Sequence, residues 1–201
     1  WLAEILGQEL LLNPPEITEE VNIIVNTWPS SKWLSEKLSI INNINALVKY
    51  PFPGTYLKRL VKKFIGIDPN EKDPWEKNHL VWKILELLPE LIKRKEAQII
   101  KSWLKKSKQE NEQIDLISWD LANHIAEMFD DYILYRPHII KQWLSKKKKK
   151  ASRDISINKN LVWQEILFKL LHEKINKDPF CIQVEKAIEV LKNDDISKID
   201  Y

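Results

Sequence analysis

Apolar residues recur along this chain in two rhythms, one near its start and another after Gly66. Leu2, Ile5, Leu6 and Leu10 fall on one helical face, and Pro14-Pro15 ends that helix. Val21 to Asn26 is a short run of β-branched residues without alternation, which predicts a strand buried on both faces. A turn through Trp28-Pro29 leads into a helix over Ser30–Leu38, capped by Asn26 or Thr27. Trp33, Leu34, the Lys37 stem and Leu38 form its inward face. Asn42 to Asn45 reads as a turn, and Ala46 to Tyr50 as a second strand closed by Pro51-Phe52-Pro53-Gly54. Strands joined through helices predict parallel pairing.

Beyond the loop at Ile67–Pro74 the period is helical almost throughout. Trp75 to Lys95 carries Leu80, Val81, Ile84, Leu85, Leu88, Leu91 and Ile92, with a kink or a break expected at Pro89. Ala97 to Lys106 forms the next helix, with Ile99, Ile100, Trp103 and Leu104 apolar, and 107–113 reads as a polar loop. Ile114 to Tyr135 places Ile117, Leu121, Ile125, Met128, Phe129 and Tyr132 on one stripe. Pro137 starts a helix through Trp143. Residues 145–160 read as loop, and Leu161–Ile175 and Cys181–Leu191 as the last helices. The pattern predicts an α/β, helix-dominated fold, with an α/β unit in residues 1–66 and a helical subdomain in residues 67–201.

Composition narrows the function classes. A chain of 201 residues with 44% hydrophobic and 30% charged residues buries a real core as one domain or a domain plus a subdomain. Three glycines leave little for a phosphate-cradling loop, and one cysteine, Cys181, fits a reducing, cytoplasmic setting. No apolar run approaches the roughly 18 residues that span a bilayer, so no membrane partner is expected. The first residue is not Met, which reads as a fragment with an upstream element missing. The net charge of +3 hides an asymmetry. Residues 1–40 hold six acids against two bases, whereas 141–153 hold Lys141, Lys146 to Lys150 and Arg153 with no acid. Such a basic run is either a nucleic-acid footprint or a solvated linker.

Catalytic motifs are missing. There is no Gly-x-x-x-x-Gly-Lys, no acid two residues before a lysine, and no close pair of His or Cys for zinc. No cofactor is expected, and Cys181 reads as a buried, inert thiol. Three stretches could still carry function. Asn26-Thr27-Trp28-Pro29 with Lys32 sets polar groups and an indole at a helix start, suited to a phosphate or a stacked base, or to simple capping. Tyr50 to Tyr56 sets three aromatics on a Pro-stiffened loop, for stacking or as a lid on the core. Glu127 to Pro137 places Asp130 and Asp131 near a helix C-terminus, where the macrodipole opposes them and Arg136 is a natural partner.

NIIVNTWPSSKWLSEKL, INALVKYPFPGTYL, WKILELLPELI, IAEMFDDYILYRPHIIKQW and LVWQEILFKLL follow one another in this order between residues 2 and 175. This series resembles the RecC family, the gamma chain of exodeoxyribonuclease V (RecBCD), with Phe-Asp-x-Tyr-x-x-Tyr-Arg-Pro as its most specific run. The resemblance covers part of that family's N-terminal region. It implies a small parallel-strand helicase-like (1A-type) unit whose nucleotide site is lost, so that the chain is no enzyme on its own. It further implies RecB-like and RecD-like subunits as partners, and DNA, as a duplex fork and a 3'-ended strand in a channel where Chi is read. The family's channel-lining positions correspond here to Asn26, Trp28, Lys32, Phe52, Lys58, Glu127, Met128, Asp130, Asp131 and Arg136. Trp28, Lys32 and Lys58 depart from the family's residue types. Lys32, Lys58 and Arg59 would offer charge to the DNA backbone. Two other readings stand beside this one: a helical module that holds RecB or RecD without touching DNA, and a fragment of an ATP-using helicase.

Overall fold

The computed structural model describes residues 1–16, 19–43, 48–110, 114–145 and 162–193. They fall into two units, Trp1–Asn70 and Glu71–Tyr201. Helix dominates both, and the first holds a small parallel sheet.

In the first unit, α1 (Leu2–Leu12) stops before Pro14-Pro15 as expected. Of the expected stripe, Leu6 and Leu10 are half-buried, but Leu2 and Ile5 are 74% and 47% exposed. Ala3 and Gly7, one turn apart, are the buried residues of the helix. Small residues let the α1 backbone approach α2 (Trp28–Asn42), and a Cβ on Gly7 would stand 2.8 Å from Ile41 Cγ2. The close approach outweighs the larger area that Leu2 and Ile5 could bury. α2 begins two residues before the expected start, because Thr27 Oγ1 accepts the Ser30 amide at 3.2 Å. Leu38 is fully buried on its inner side, whereas Trp33, expected inward, is 54% exposed. Asn43 ends the helix in the left-handed region at φ 61°. The rest of the expected 42–45 turn lies outside the described residues.

β1 (Val21–Asn22) pairs parallel with β2 (Val48–Lys49), Val21 opposite Val48. The pairing continues irregularly, since the Ile23 amide donates to Lys49 O at 2.9 Å and the Val25 amide to Pro51 O at 3.2 Å. Val25 is buried while Ile24 is 50% exposed, so the segment is covered on one face and not on both. α3 (Pro53–Phe64) opens with proline at its first position, where a missing amide hydrogen costs nothing. The stretch expected as an aromatic loop is therefore half loop and half first helical turn. Gly66 at φ +71° closes α3, with Gly66 N bonded to Lys63 O and Ile67 N to Lys62 O. This is the Schellman arrangement, which a side chain at Gly66 would strain.

The second unit is helical: α4 (Lys77–Leu91), α5 (Gln98–Glu110) after a 3-10 turn at Lys95–Ala97, α6 (Ile114–Tyr135), α7 (Pro137–Leu144), α8 (Val162–Ile175) and α9 (Phe180–Asn193). Pro89 neither breaks nor divides α4, because it sits in the last turn and the helix ends two residues later. α5 continues to Glu110, into the stretch expected as loop from 107. Residues 111–113 and 146–161 lie outside the described residues, and with them the expected loop beyond Ser145 and the Lys146–Lys150 run.

The core of this unit gathers around Phe168. Trp75 stacks on it at 4.9 Å between ring centroids, Phe129 meets it edge-on at 5.2 Å, and Trp143 stands 5.6 Å away. Ala122 and Ala126 let α6 pack closely, while Met128 and Tyr132 from the expected stripe lie at its margin. Trp75 also ties distant segments together. Its indole donates to Lys177 O at 2.8 Å, and its amide donates to Asp73 Oδ1 at 3.0 Å. Beside it, Asp178 accepts from His172 Nε2 at 3.3 Å and from Lys186 Nζ at 2.5 Å. The Asp178 carbonyl accepts from Gln183 Nε2 at 2.7 Å, fixing the α8–α9 turn.

Two outcomes follow for stability. Gly7→Val is expected to destabilise the first unit by about 1–3 kcal/mol through overpacking against Ile41, read as a lower urea midpoint. Partial burial pushes the Asp178 carboxyl up, but Lys186 and His172 outweigh it and hold it below the usual carboxylate value of 3.8. A carboxyl lowered by folding stabilises above its unfolded pKa, and that stability is lost as pH falls through the folded value. Asp178→Asn should therefore lower the melting temperature at pH 7 and flatten the decline in melting temperature below about pH 4.

Candidate nucleic-acid interface

Because β1 and β2 run parallel and in register, both chains leave the sheet at the same edge. One passes through Asn26-Thr27 into α2, the other through Pro51-Phe52 into α3. In open α/β sheets that edge is where ligands bind, facing helix N-termini with their positive dipole ends. Thr27 already caps α2, its hydroxyl 2.7 Å from Ser30 Oγ, and Ser31 Oγ donates to Trp28 O at 2.7 Å. α3 has Phe52 at its N-cap and no side-chain cap.

The side chains expected to bind in this unit gather around the two helix starts. Asn26 is exposed at the strand exit. Trp28 keeps 61% of its surface exposed, although Lys32 Nζ lies 4.4 Å from its ring centroid. That cation–π contact, with the ammonium one turn on, holds the indole at the surface. Phe52 is 43% exposed at the start of α3. Lys58, six residues further along α3, is half-buried and engaged in contacts of its own. Below the edge, Glu20 pairs with Lys49, whose hydrogen bond and charge hold the carboxylate below its usual value, with Arg59 adding to the effect.

The other five expected residues belong to the second unit. Glu127 is exposed and pairs with Lys77 at 3.4 Å. Met128 is half-buried against the core, and Asp130 is half-buried and engaged. Asp131, one turn from Glu127, is exposed. Arg136 caps α7 through its backbone, and its guanidinium lies 5.4 Å from the Tyr132 ring centroid. Glu127 and Asp131 thus share the solvent side of α6, and Met128 turns toward the core.

One surface feature escaped the sequence reading. Trp82 of α4 and Trp119 of α6 meet edge-on with ring centroids 4.9 Å apart, and they expose 62% and 37% of their surface. Both lie off the apolar stripe of their helices, and that misplacement could have marked them. Lys141, the first base of the basic run, pairs with Glu185. Burial pushes the Cys181 thiol up to about 11, which keeps it protonated and inert at neutral pH. No cluster of His, Cys, Asp and Glu among the described residues could hold a metal. Nor is any described helix long and apolar enough to cross a membrane.

The family model for "RecC, N-terminal domain" matches residues 1–199. The chain belongs to that family. Similar proteins are the "RecBCD enzyme subunit RecC" of Haemophilus influenzae, 28% identical over 141 residues, and of Escherichia coli, 25% identical over 142 residues. The stretches cover 70% and 71% of this chain and 12% of each relative. The protein of the same name from Mycolicibacterium smegmatis is 24% identical over 190 residues, covering 93% of this chain and 16% of the relative. This chain therefore spans a small part of the length of the curated relatives that it matches.

Removing the Thr27 hydroxyl tests how the strand-exit edge is held. Thr27→Ala is expected to cost about 1 kcal/mol through the lost cap and to loosen the Trp28–Lys32 contact. The readout is stronger acrylamide quenching of Trp28 in a variant whose other exposed tryptophans are replaced by Phe.

Proposed function

We propose that this chain is a non-catalytic DNA-binding and scaffold region of a RecBCD-type helicase–nuclease, lining the channel for the 3'-ended strand where Chi is read. In this reading the assembly acts in double-strand break repair by recombination. Residues 1–66 are a helicase-like (1A-type) unit kept for its shape, and residues 67–201 a helical subdomain with partner surfaces for RecB-like and RecD-like subunits. The observation that carries the reading is the strand-exit edge, where Trp28 with Lys32 and Phe52 stand exposed at two helix starts. Indole and phenyl faces suit unstacked bases, and an ammonium beside helix N-termini suits the phosphates between them. The turn from Asn26 to Lys32 holds no glycine, and Thr27 spends its hydroxyl on capping, which disfavours nucleotide hydrolysis here. Glu127, Asp131 and Arg136 add polar groups suited to base edges.

A second reading, a helical module that holds other subunits without touching DNA, draws support from the exposed Trp82–Trp119 pair. Indoles are enriched at protein interfaces. Crosslinking a 3'-tailed duplex to the full assembly separates the two. Adducts within 26–58 and 127–136 are expected, and their absence from both stretches would overturn the DNA assignment. Trp28→Ala should weaken binding of the tailed duplex by about 1–3 kcal/mol. Lys32→Met should lower the slope of log K against log salt by about 1.

A further inference from the structure

The second unit carries an apolar groove whose lining includes none of the residues named for DNA. It lies between the C-terminal end of α6, α7 and α9 and encloses about 460 Å3. Ile133 and Cys181 are buried in it, while Leu134 and Ile188 at its lips expose 42% and 45% of their surface. Lys141 pairs with Glu185 across the rim, and Glu189 and Lys192 follow along α9.

α9 is apolar over more of its circumference than one neighbour requires. Cys181 and Ala187 are buried on its inner side. Val184 and Ile188, one turn apart, form a second stripe along the groove wall. Apolar residues over so wide an arc mark a helix with neighbours on two sides. The volume suits the aliphatic side chains of one helix face, and the rim mixes both charges, which disfavours a phosphate backbone.

We propose that this groove seats a helix from the part of the longer protein that follows α9. The relatives are longer than this chain, which covers 12% to 16% of their length, and the matching family is an N-terminal domain. The far end of α9 borders the groove at Glu189 and Lys192, so chain continuing past Asn193 sets out from the groove itself. Successive helices usually pack on one another in helical domains. A tethered helix also reaches the groove at an effective concentration in the mM range, which no separate chain matches. The occupant is an amphipathic helix with aliphatic residues at i, i+3 and i+4 and charges of both signs on its flanks.

The test uses the longer protein, purified without other subunits. With cysteines introduced singly, Ile188→Cys should react with a maleimide about tenfold more slowly than the control Asn193→Cys, read peptide by peptide. Hydrogen exchange adds a readout that needs no new thiol: Ile188→Asp should quicken exchange in one segment beyond Tyr201 as well as in α9. Equal labelling at 188 and 193, with no responding segment beyond Tyr201, would overturn the proposal. So would protection of Ile188 that arises only at high protein concentration, which would assign the groove to a second copy. Protection only after another subunit is added would assign it to a different chain, and overturns the proposal equally.

Discussion

The helical unit depends on how Trp75 is held. One indole fills the space beside Phe168 and donates to the carbonyl of Lys177, a residue 102 positions away. Its backbone amide is fixed by Asp73, which is itself buried. The segment entering α4 is thereby joined to the turn between α8 and α9. Contacts at that sequence separation form against the entropy of closing a long loop. A buried aromatic group with a satisfied polar atom supplies both the area and the direction for that closure. Around it, Lys177 with Glu71 repeats the same joining at the surface, and Asp178 with His172 and Lys186 holds the turn itself.

How far the sequence foretold this differs between the units. In the second, long runs with apolar residues every three or four positions fix α6 at Ile114–Tyr135, because a stripe of that length leaves one solution. The role of Trp75 was not legible, since its partners come from across the fold. In the first unit the same logic misled at α1. Leu2 and Ile5 outrank Ala3 and Gly7 on any hydrophobic scale, yet closeness of backbones buried the small pair, with Leu6 and Leu10 half-covered beside it. Trp33 likewise looked like core and is solvent-facing, whereas Leu38, expected on the same face, is fully buried.

The candidate site was partly legible. A strand run followed by polar residues and a helix start marked Asn26 to Lys32 without any structure. What no local pattern could give was the partner edge. That requires the parallel register of Val21 with Val48, which brings the start of α3 to the same side as the start of α2. Met128 shows the opposite limit: adjacent to Glu127 in sequence, it is rotated by about 100° around α6 and packs inward.

The edge-on contact of Trp82 and Trp119 has a consequence outside recognition. Two indoles 4.9 Å apart and inclined at 65° place their transition dipoles close together and out of alignment. Such a pair couples electronically and gives a split band of opposite signs in ultraviolet circular dichroism. The amplitude of that couplet depends on separation and tilt, so it reports the spacing of α4 and α6 without any label. Whatever lands on this patch would write its arrival into the optical activity of the protein.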